Sequence, residues 1–261
     1  MTFTGTWQCV LSIKQPFWFD DRNSTGHFCR RDQPVISHFV TVTNKAELEI
    51  MLRRAQLAVL NPRHNPQEFL NADVTYPHPL QVAFSPNIIS LEIQGPGLPE
   101  LSFYDLPGSI QVVEDGQDQA LVKWIEKLIS EYIEDEKTLV LLACGADQDV
   151  ETSKTLGIIK NCKAETRTLG VLTKTDLASP LKMDYIKDIM HGRFSLGRGW
   201  FAVKLLSQEE IQNGVDARES EAKLFGREPW NTFASDLQPR FGIPRLQEAI
   251  SLSLTDHIRG E

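Results

Sequence analysis

The beginning of the chain contains one alternating apolar and polar stretch and one amphipathic helical stretch. Residues 6–15 alternate in polarity, which is typical of a strand with one buried face. The segment 16–34 mixes charged and turn-forming residues, and we expect a loop there. Residues 44–60 carry apolar side chains at helical spacing, and Asn44 with Glu47 forms a capping-box pattern. The pattern predicts a strand, a loop and a helix in that order.

The middle of the chain contains three short apolar segments that predict strands, at residues 80–84, 88–93 and 101–104. A helical pattern follows at residues 120–133, where Leu, Ile and Tyr side chains share one face. These elements begin an alternation of strand and helix.

The remaining elements continue this alternation. They are strand 138–145, helix 150–161, strand 168–173, helix 183–190, strand 200–206, and helices 208–225 and 243–258. The segment 138–145 is almost entirely apolar, as expected for a strand buried on both faces of a parallel sheet. The alternation predicts a doubly wound, mostly parallel α/β sheet.

Composition narrows the class of protein. The chain has 261 residues, of which 41% are hydrophobic and 24% charged, as is typical of a soluble globular protein with a real core. The net charge of −8 argues against nucleic acid as a partner, because no field of Lys and Arg dominates. No apolar run approaches the roughly 20 residues that span a bilayer, and the N-terminus lacks a secretory pattern. We therefore expect a cytoplasmic protein.

The cysteines and histidines show no spacing that is typical of a metal site. The four cysteines lie far apart and form no CxxC motif: Cys9, Cys29, Cys144 and Cys162. The histidines before the last helix share no ligand spacing with an acid or thiol: His27, His38, His64, His78 and His191. We expect structural thiols in a reducing compartment.

The sequence DLPG directly follows the predicted strand 101–104. Asp105 comes first, and a proline and Gly108 precede the helix 120–133. Pro and Gly are strong turn formers, so one interpretation is an ordinary tight turn. The other is that Asp105 and the Gly108 amide face a metal-bound phosphate. The motif alone leaves both interpretations open.

A second polar motif, TKTD, ends the predicted strand 168–173 with Thr173, Lys174, Thr175 and Asp176. Ligands of doubly wound sheets bind outside the carboxyl ends of the strands, where we expect both motifs to lie. The carboxylate of Asp176 can accept hydrogen bonds from the N1–H and the exocyclic amine of guanine, a donor pair that adenine lacks. Each such charge-assisted bond contributes about 1.5–3 kcal/mol. Lys174 can lay its aliphatic stem along the base. Together the motifs predict a guanine-nucleotide site.

These motifs and three later segments resemble the GTPase domain of the dynamin superfamily, in particular fungal dynamin-like and Mx-like large GTPases. The segments are GWFAVKLLSQEEI, EAKLF and IPRLQEAISLSLTDHIR. The resemblance covers residues 36–261, including C-terminal helices over 208–258, and leaves residues 1–35 as a poorly assigned strand and loop. It implies a G domain of the P-loop NTPase type that binds GTP or GDP with Mg²⁺.

The resemblance also implies roles for individual residues, although it assigns no catalytic residue. The implied nucleotide-binding residues are Asp105, Gly108, Thr173, Lys174, Asp176 and Lys204. Asp105 would hold Mg²⁺ through a water molecule, and the Gly108 amide would face the γ-phosphate. Lys174 and Asp176 would select guanine. Lys204 belongs to a loop at the far side of the base, where leucines replace the asparagine-arginine pair that is common in the family.

The phosphate loop of the family, GxxxxGK[ST], and its switch I threonine have no counterpart, since the sequence contains no Gly-Lys pair. We expect that the chain starts inside the domain and lacks the first strand, the phosphate loop and the first helix. Losing three charge-assisted hydrogen bonds removes roughly 4–9 kcal/mol of binding free energy, which is about a thousandfold or more in affinity. Hydrolysis by this chain alone is therefore not expected.

Two functions remain open. In the first, the chain is the G domain of a dynamin-like large GTPase, whose family couples GTP binding and hydrolysis to membrane remodelling or fission. Its partners would be a second G domain or a larger self-assembly, with membrane and cytoskeleton contacted only through family regions absent here. We then expect a cytoplasmic location, at the periphery of organelle membranes such as mitochondria. In the second, the chain is a non-hydrolysing relic of a G domain that acts as an interaction module.

Overall fold

The structure is a computed structural model that describes residues 5–22, 27–74, 78–98, 101–108 and 119–259. The chain divides into two compact units, Met1–Phe103 and Tyr104–Glu261. The boundary predicted between residues 35 and 36 lies inside a continuous strand, and the assignment of residues 36–261 to a single G domain stays a prediction. No helix within the described ranges is both long enough and apolar enough to cross a bilayer.

Among its described residues, the first unit contains an antiparallel sheet of three strands. They are β1 (Gln8–Asp20), β2 (His27–Val42) and β3 (Ile88–Gln94), and β1 lies in the centre. The predicted strands over residues 6–15 and 88–93 are therefore confirmed. Alternate side chains of β1 point to one face of the sheet, so Cys9, Leu11 and Ile13 are all buried.

Helix α1 (Leu48–Leu60) covers this buried face with Ala55 and Ala58, which pack in the same core as the β1 residues. The Asn44 side chain accepts a hydrogen bond from the Ala46 amide at the start of a 3-10 turn that leads into α1. The predicted helix over residues 44–60 is confirmed from Leu48 onward, whereas Asn44 caps only the 3-10 turn Lys45–Glu47 that precedes it.

The loop predicted over residues 16–34 is wrong, because β1 and β2 continue through most of that segment. Trp18 pairs with Cys29, and the rings of Phe19 and Phe28 pack edge to face with centroids 5.1 Å apart. Cross-strand aromatic pairs of this kind stabilise a hairpin, and they depend on residues that are distant in sequence. Local turn propensity therefore predicted the wrong structure here.

The strands predicted at 80–84 and 101–104 are also wrong. In the segment 80–84, the amide of Val82 donates its hydrogen bond to the carbonyl of Leu60 at the end of α1 and not to a neighbouring strand. Residues 101–104 form no ladder with any described strand, and Phe103 is 79% exposed. A strand needs a paired neighbour for its backbone groups, and within the described residues this segment has none.

The described part of the second unit contains a parallel sheet of three strands, β4 (Val140–Gly145), β5 (Thr168–Thr173) and β6 (Trp200–Ala202), in that spatial order. The predicted α/β fold with a parallel sheet is confirmed. The strand predicted over residues 200–206 is shorter than expected, because the Lys204 amide donates to the carboxylate of Glu221 rather than to a neighbouring strand.

The helices of the second unit follow the predicted order. They are α2 (Gln119–Glu134), α3 (Lys154–Asn161), α4 (Met183–Met190), α5 (Gln208–Gln212), α6 (Ala217–Phe225) and α7 (Ile243–Arg259). The single helix predicted at 208–225 is in fact α5 and α6, separated at Gly214, whose φ of +66° ends the first helix.

Short 3-10 turns occur between the main elements. They are Lys45–Glu47, Pro66–Phe69, Val150–Thr152, Glu165–Arg167, Thr175–Leu177, Pro180–Lys182, Trp230–Thr232 and Gln238–Arg240. The core of the second unit packs α7 against one face of β5 and β6, where Leu246 contacts a cluster that includes Leu169 and Phe201. All residues of β5 except the last, Thr173, are buried, so this strand becomes accessible to solvent only at its carboxyl end.

Candidate functional site

Three loops follow the carboxyl ends of the parallel strands, and hydrogen bonds join them. The Ala146 amide, just after β4, donates to the Thr173 carbonyl at the end of β5 over 2.8 Å. The Thr175 hydroxyl, just after β5, donates to the Val203 carbonyl after β6 over 3.0 Å. Ligands of α/β sheets bind at this edge, so these joined loops form the candidate site of the second unit.

The loop after β5 exposes two charged side chains on either side of a buried one. Thr175 is 1% exposed, whereas Lys174 and Asp176 are exposed. The side chains of these two residues form no hydrogen bond or ion pair with the described part of the chain. An ammonium and a carboxylate two positions apart are thus available to a ligand.

The backbone at Lys174 is strained. Its φ of +52° and ψ of +37° lie in the left-handed region, which costs a residue with a side chain about 1–2 kcal/mol. The 3-10 turn Thr175–Leu177 begins directly after it. Lys163 has the same positive φ away from this edge, so strain alone does not identify a site. At Lys174 the strained turn reverses the chain so that positions 174 and 176 face outward.

Thr173 lies at the junction of β4 and β5. Its hydroxyl donates to the Cys144 carbonyl over 3.2 Å, and the residue is partly buried. This bond ties the ends of the two strands together, directly before the exposed Lys174. Thr173 therefore shares the edge with Lys174 and Asp176, as the sequence predicted, and its hydroxyl has a structural partner.

Lys204 lies at the same edge but is buried. Its Nζ donates to both carboxylate oxygens of Glu210, over 2.7 and 2.9 Å. The bond from Lys204, with another from the Ser207 amide, lowers the pKa of Glu210 to about 2. The Lys204 ammonium is thus paired with α5. The only indication of this pairing along the chain is Glu210 as the third residue of a capping box.

Asp105 and Gly108 are both exposed, and no described hydrogen bond or ion pair joins either of them to the TKTD loop. The preceding residue, Tyr104, packs its ring on Tyr132 near the end of α2, with centroids 4.7 Å apart. Since no strand forms at 101–104, sheet register does not carry Asp105 to the edge that holds Lys174. The roles of Asp105 and Gly108 stay predictions.

The loop after β4 contributes a contact that the sequence analysis missed. Lys182, just before α4, donates from its Nζ to the carbonyl of Asp147 over 2.9 Å and to the carboxylate of Asp149 over 3.0 Å. A Cβ added to Gly145 would lie 2.3 Å from the Asp147 carboxylate, so a larger residue there would displace this side chain. The signal was the segment GADQD directly after an apolar strand.

In the first unit, the structure brings one histidine close to an acid and a thiol, although their spacing along the sequence indicates no metal site. Ligand atoms of Asp20, His27 and Cys29 all lie within 4.8 Å of one another. The sequence does not indicate this cluster, because Asp20 lies on the strand opposite the other two residues and a loop was expected over residues 16–34.

The fold and the candidate site at the carboxyl edge of the parallel sheet indicate a class of protein. A parallel α/β sheet of the G-domain type carries a Lys-Thr-Asp turn at the carboxyl end of β5. Residues 36–175 match the model of the dynamin family. The chain belongs to the dynamin family.

Curated relatives are similar over different lengths of the chain. An interferon-induced GTP-binding protein Mx1 of Oncorhynchus mykiss is 33% identical over 181 residues, which is 68% of this chain and 29% of the relative. An interferon-induced GTP-binding protein Mx of Solea senegalensis is 33% identical over 256 residues, or 96% of this chain and 37% of the relative. The chain thus spans about a third of the length of these relatives.

Proposed function

We propose that this chain is a guanine-nucleotide-binding G domain in which Lys174 and Asp176 take the base. One observation carries the proposal, namely that Thr175 is fixed to the Val203 carbonyl while both neighbouring charges are exposed and free of other described residues. The Mx relatives are by name GTP-binding proteins, which supports the same ligand.

The chemistry of the base suits these two side chains. A carboxylate is an acceptor only, so Asp176 matches the N1–H and the exocyclic amine of guanine and discriminates against adenine. The aliphatic stem of Lys174 offers an apolar surface to the ring, while its ammonium remains in water. Thr173, at the start of the same turn, fixes the backbone that presents them.

This chain offers fewer residues for binding the phosphates and Mg²⁺ than for binding the base. Mg²⁺ binds proteins through one or two carboxylates and retains several waters, and an exposed Asp105 that forms no ion pair with any described residue fits one contact of that kind. Bound Mg²⁺ would neutralise phosphate charge. The sequence contains no Gly-Lys pair to hold the β- and γ-phosphates. We therefore propose weak nucleotide binding by this chain and no hydrolysis by it alone.

A titration with fluorescent GDP and GTP analogues in the presence of Mg²⁺ tests the proposal. We expect saturable binding that GDP competes and ADP does not. Asp176→Asn removes one acceptor and presents an N–H donor, so the affinity for guanine should fall about tenfold to a hundredfold, and xanthine should compete better than before.

The matched control is Asp184→Asn, because Asp184 is an exposed carboxylate on α4 away from the turn. Equal affinity of the two variants, or unchanged discrimination against xanthine, would show that Asp176 does not bind the base. Micromolar affinity together with GTP turnover by this chain would contradict the proposed inability to hydrolyse.

The role in the cell is a further part of the proposal. Resemblance to dynamin-like proteins supports GTP-driven self-assembly and membrane remodelling by a longer assembly, with paired G domains and a cytoplasmic location near organelle membranes such as mitochondria. Fractionation of cells that express the tagged protein at its natural level tests the location. Recovery in a secreted or nuclear fraction would contradict it.

A second candidate function, an interaction module that binds no nucleotide, is favoured by one observation on β4. In the described residues this strand pairs only with β5, and Leu141 on it is 51% exposed although the strand is apolar throughout. The same titration separates the two functions. A folded chain that binds neither GDP nor GTP at millimolar concentration would favour the module.

A further inference from the structure

The turn end of the β1–β2 hairpin brings together three side chains of different chemistry on one face. Asp20 is paired with His27 directly across the two strands, and Trp18 is paired with Cys29. Side chains alternate between faces along a strand, so His27 and Cys29 point the same way, toward the face that carries Asp20. Their ligand atoms lie within 4.8 Å of one another.

The opposite face of the hairpin fixes this arrangement. There the Phe19 and Phe28 rings pack edge to face, and the Arg63 guanidinium lies 5.3 Å above the Phe19 ring. Arg63 also forms an ion pair with Asp21 over 3.4 Å. A one-residue slip in register would break all of these contacts, so the register that places the three side chains together is specified by packing.

We propose that Asp20, His27 and Cys29 form a binding site for a divalent transition metal of the zinc class. Zinc is bound in proteins by thiolate sulfur, imidazole nitrogen and carboxylate oxygen, and this cluster offers one of each. Tetrahedral bonds of about 2.0–2.3 Å place ligand atoms roughly 3.5 Å apart, so small side-chain rotations close the site. With three protein ligands, the fourth position takes a water molecule.

Arg22 positions the carboxylate of this site. Its guanidinium donates to both oxygens of Asp20, over 2.9 and 2.6 Å, and its backbone amide donates to one of them over 3.1 Å. A carboxylate has about four acceptor positions, so Asp20 can keep Arg22 and still ligate a metal. Asp20 is 6% exposed, whereas His27 is exposed and Cys29 partly buried, which leaves the metal accessible from the His27 side.

Binding is a simple exchange of a proton for a metal ion. The Cys29 thiol releases its proton to the buffer, and the resulting thiolate donates an electron pair to the metal. Neutral His27 donates through a ring nitrogen, and the Asp20 carboxylate through one oxygen. No redox step is involved, and the site does not depend on nucleotide binding at the second unit.

Titration of the whole chain with Co²⁺ tests this site, because a thiolate bound to Co²⁺ gives a charge-transfer absorption in the near ultraviolet. We expect this band to saturate at one Co²⁺ per chain and to disappear when Zn²⁺ is added. Cys29→Ser should abolish the band, and His27→Gln, at an exposed position, should weaken binding by roughly tenfold or more while the band remains.

The matched controls are Cys162→Ser and His64→Gln, which change a thiol and an imidazole outside the cluster and should leave both the band and the affinity unchanged. If the band survives Cys29→Ser, if His27→Gln binds Co²⁺ as tightly as the unchanged chain, or if no saturable binding occurs, the Asp20–His27–Cys29 metal site is ruled out.

Discussion

The hydroxyl of Thr175 donates to the carbonyl oxygen of Val203 across the carboxyl edge of the parallel sheet, at 3.0 Å. Thr175 is almost fully buried, and the residues on either side of it, Lys174 and Asp176, are exposed. One buried hydrogen bond therefore fixes the turn that displays both charges. It also joins the loop after β5 to the loop after β6.

Thr175→Val tests the importance of this bond. Valine has nearly the same shape as threonine but lacks the hydroxyl, so a buried carbonyl loses its donor, and we expect the free energy of unfolding to fall by about 1–3 kcal/mol. Nucleotide affinity should fall as well, because the turn is no longer fixed. Urea unfolding measures the first effect. Thr166→Val, at an exposed position, is the control, and equal stability of the two variants would contradict the prediction.

Gly170→Ala should destabilise the second unit, because β5 and β6 approach each other closely at this position. A Cβ at position 170 would lie 2.4 Å from two ring atoms of Trp200, a fully buried side chain whose indole N–H donates to the Phe194 carbonyl over 2.9 Å. The ring cannot move without losing that bond, so we expect a loss of about 1–3 kcal/mol in the free energy of unfolding.

The matched control is Gly157→Ala on the exposed side of α3, where an added Cβ meets nothing within 4 Å. Alanine favours a helix over glycine by up to about 1 kcal/mol, so this variant should be slightly stabilised. Chemical unfolding of both variants checks the pair of predictions. The same sign of change in both would argue against the close approach of Gly170 and Trp200.

The pairing of Lys204 with Glu210 predicts a pH dependence of stability. The folded pKa of Glu210 is about 2, below its ordinary value of 4.5, mainly because of the bond from Lys204. A depressed folded pKa means that the contribution of Glu210 is complete above pH 4.5 and disappears as the pH falls toward 2. Glu210→Gln should therefore have a lower thermal midpoint than the unchanged protein at neutral pH. The difference between the two midpoints should disappear in acid.

Thermal unfolding of both proteins between neutral pH and the acid range checks this prediction. Glu209→Gln, the exposed neighbour in the same helix, should follow the unchanged protein at every pH. A constant difference between Glu210→Gln and the unchanged protein across the range would mean that the carboxylate charge is not what stabilises the loop.

The second unit shows how far local pattern can predict this fold. Strand 168–173 and helix 183–190 were predicted with their observed bounds, because an apolar run and a helical stripe are set by neighbouring residues in sequence. The TKTD turn was predicted on the correct edge for the same reason. Burial of Lys204 was not predicted, since it depends on Glu210 and Glu221 from later helices.

The first unit shows where local pattern fails. Residues 16–34 carry turn-forming residues, yet β1 and β2 pair through this segment, because Phe19 meets Phe28 across the hairpin and not along the chain. Residues 101–104 have good strand character but form no ladder with any described strand. A strand depends on its partner, so sequence predicts the tendency to form one but not whether a neighbour is available.

The buried carboxylate of Glu221 joins the loop after β6 to the start of α7. One of its oxygens accepts from the Lys204 amide over 3.0 Å and the other from the Ile243 amide over 2.9 Å. Glutamine has the same shape but only one acceptor oxygen, so Glu221→Gln leaves one buried amide facing an N–H donor. We expect a loss of about 1–3 kcal/mol in the free energy of unfolding.

Urea unfolding measures this loss, and hydrogen exchange at the amides of Lys204 and Ile243 locates it. Exchange should accelerate at one or both of these amides before the rest of the second unit opens, since the lost bond is local. Glu219→Gln, an exposed carboxylate on the same helix, is the control. If both variants unfold at the same urea concentration with the same exchange pattern, Glu221 does not hold α7 to the loop that carries Lys204.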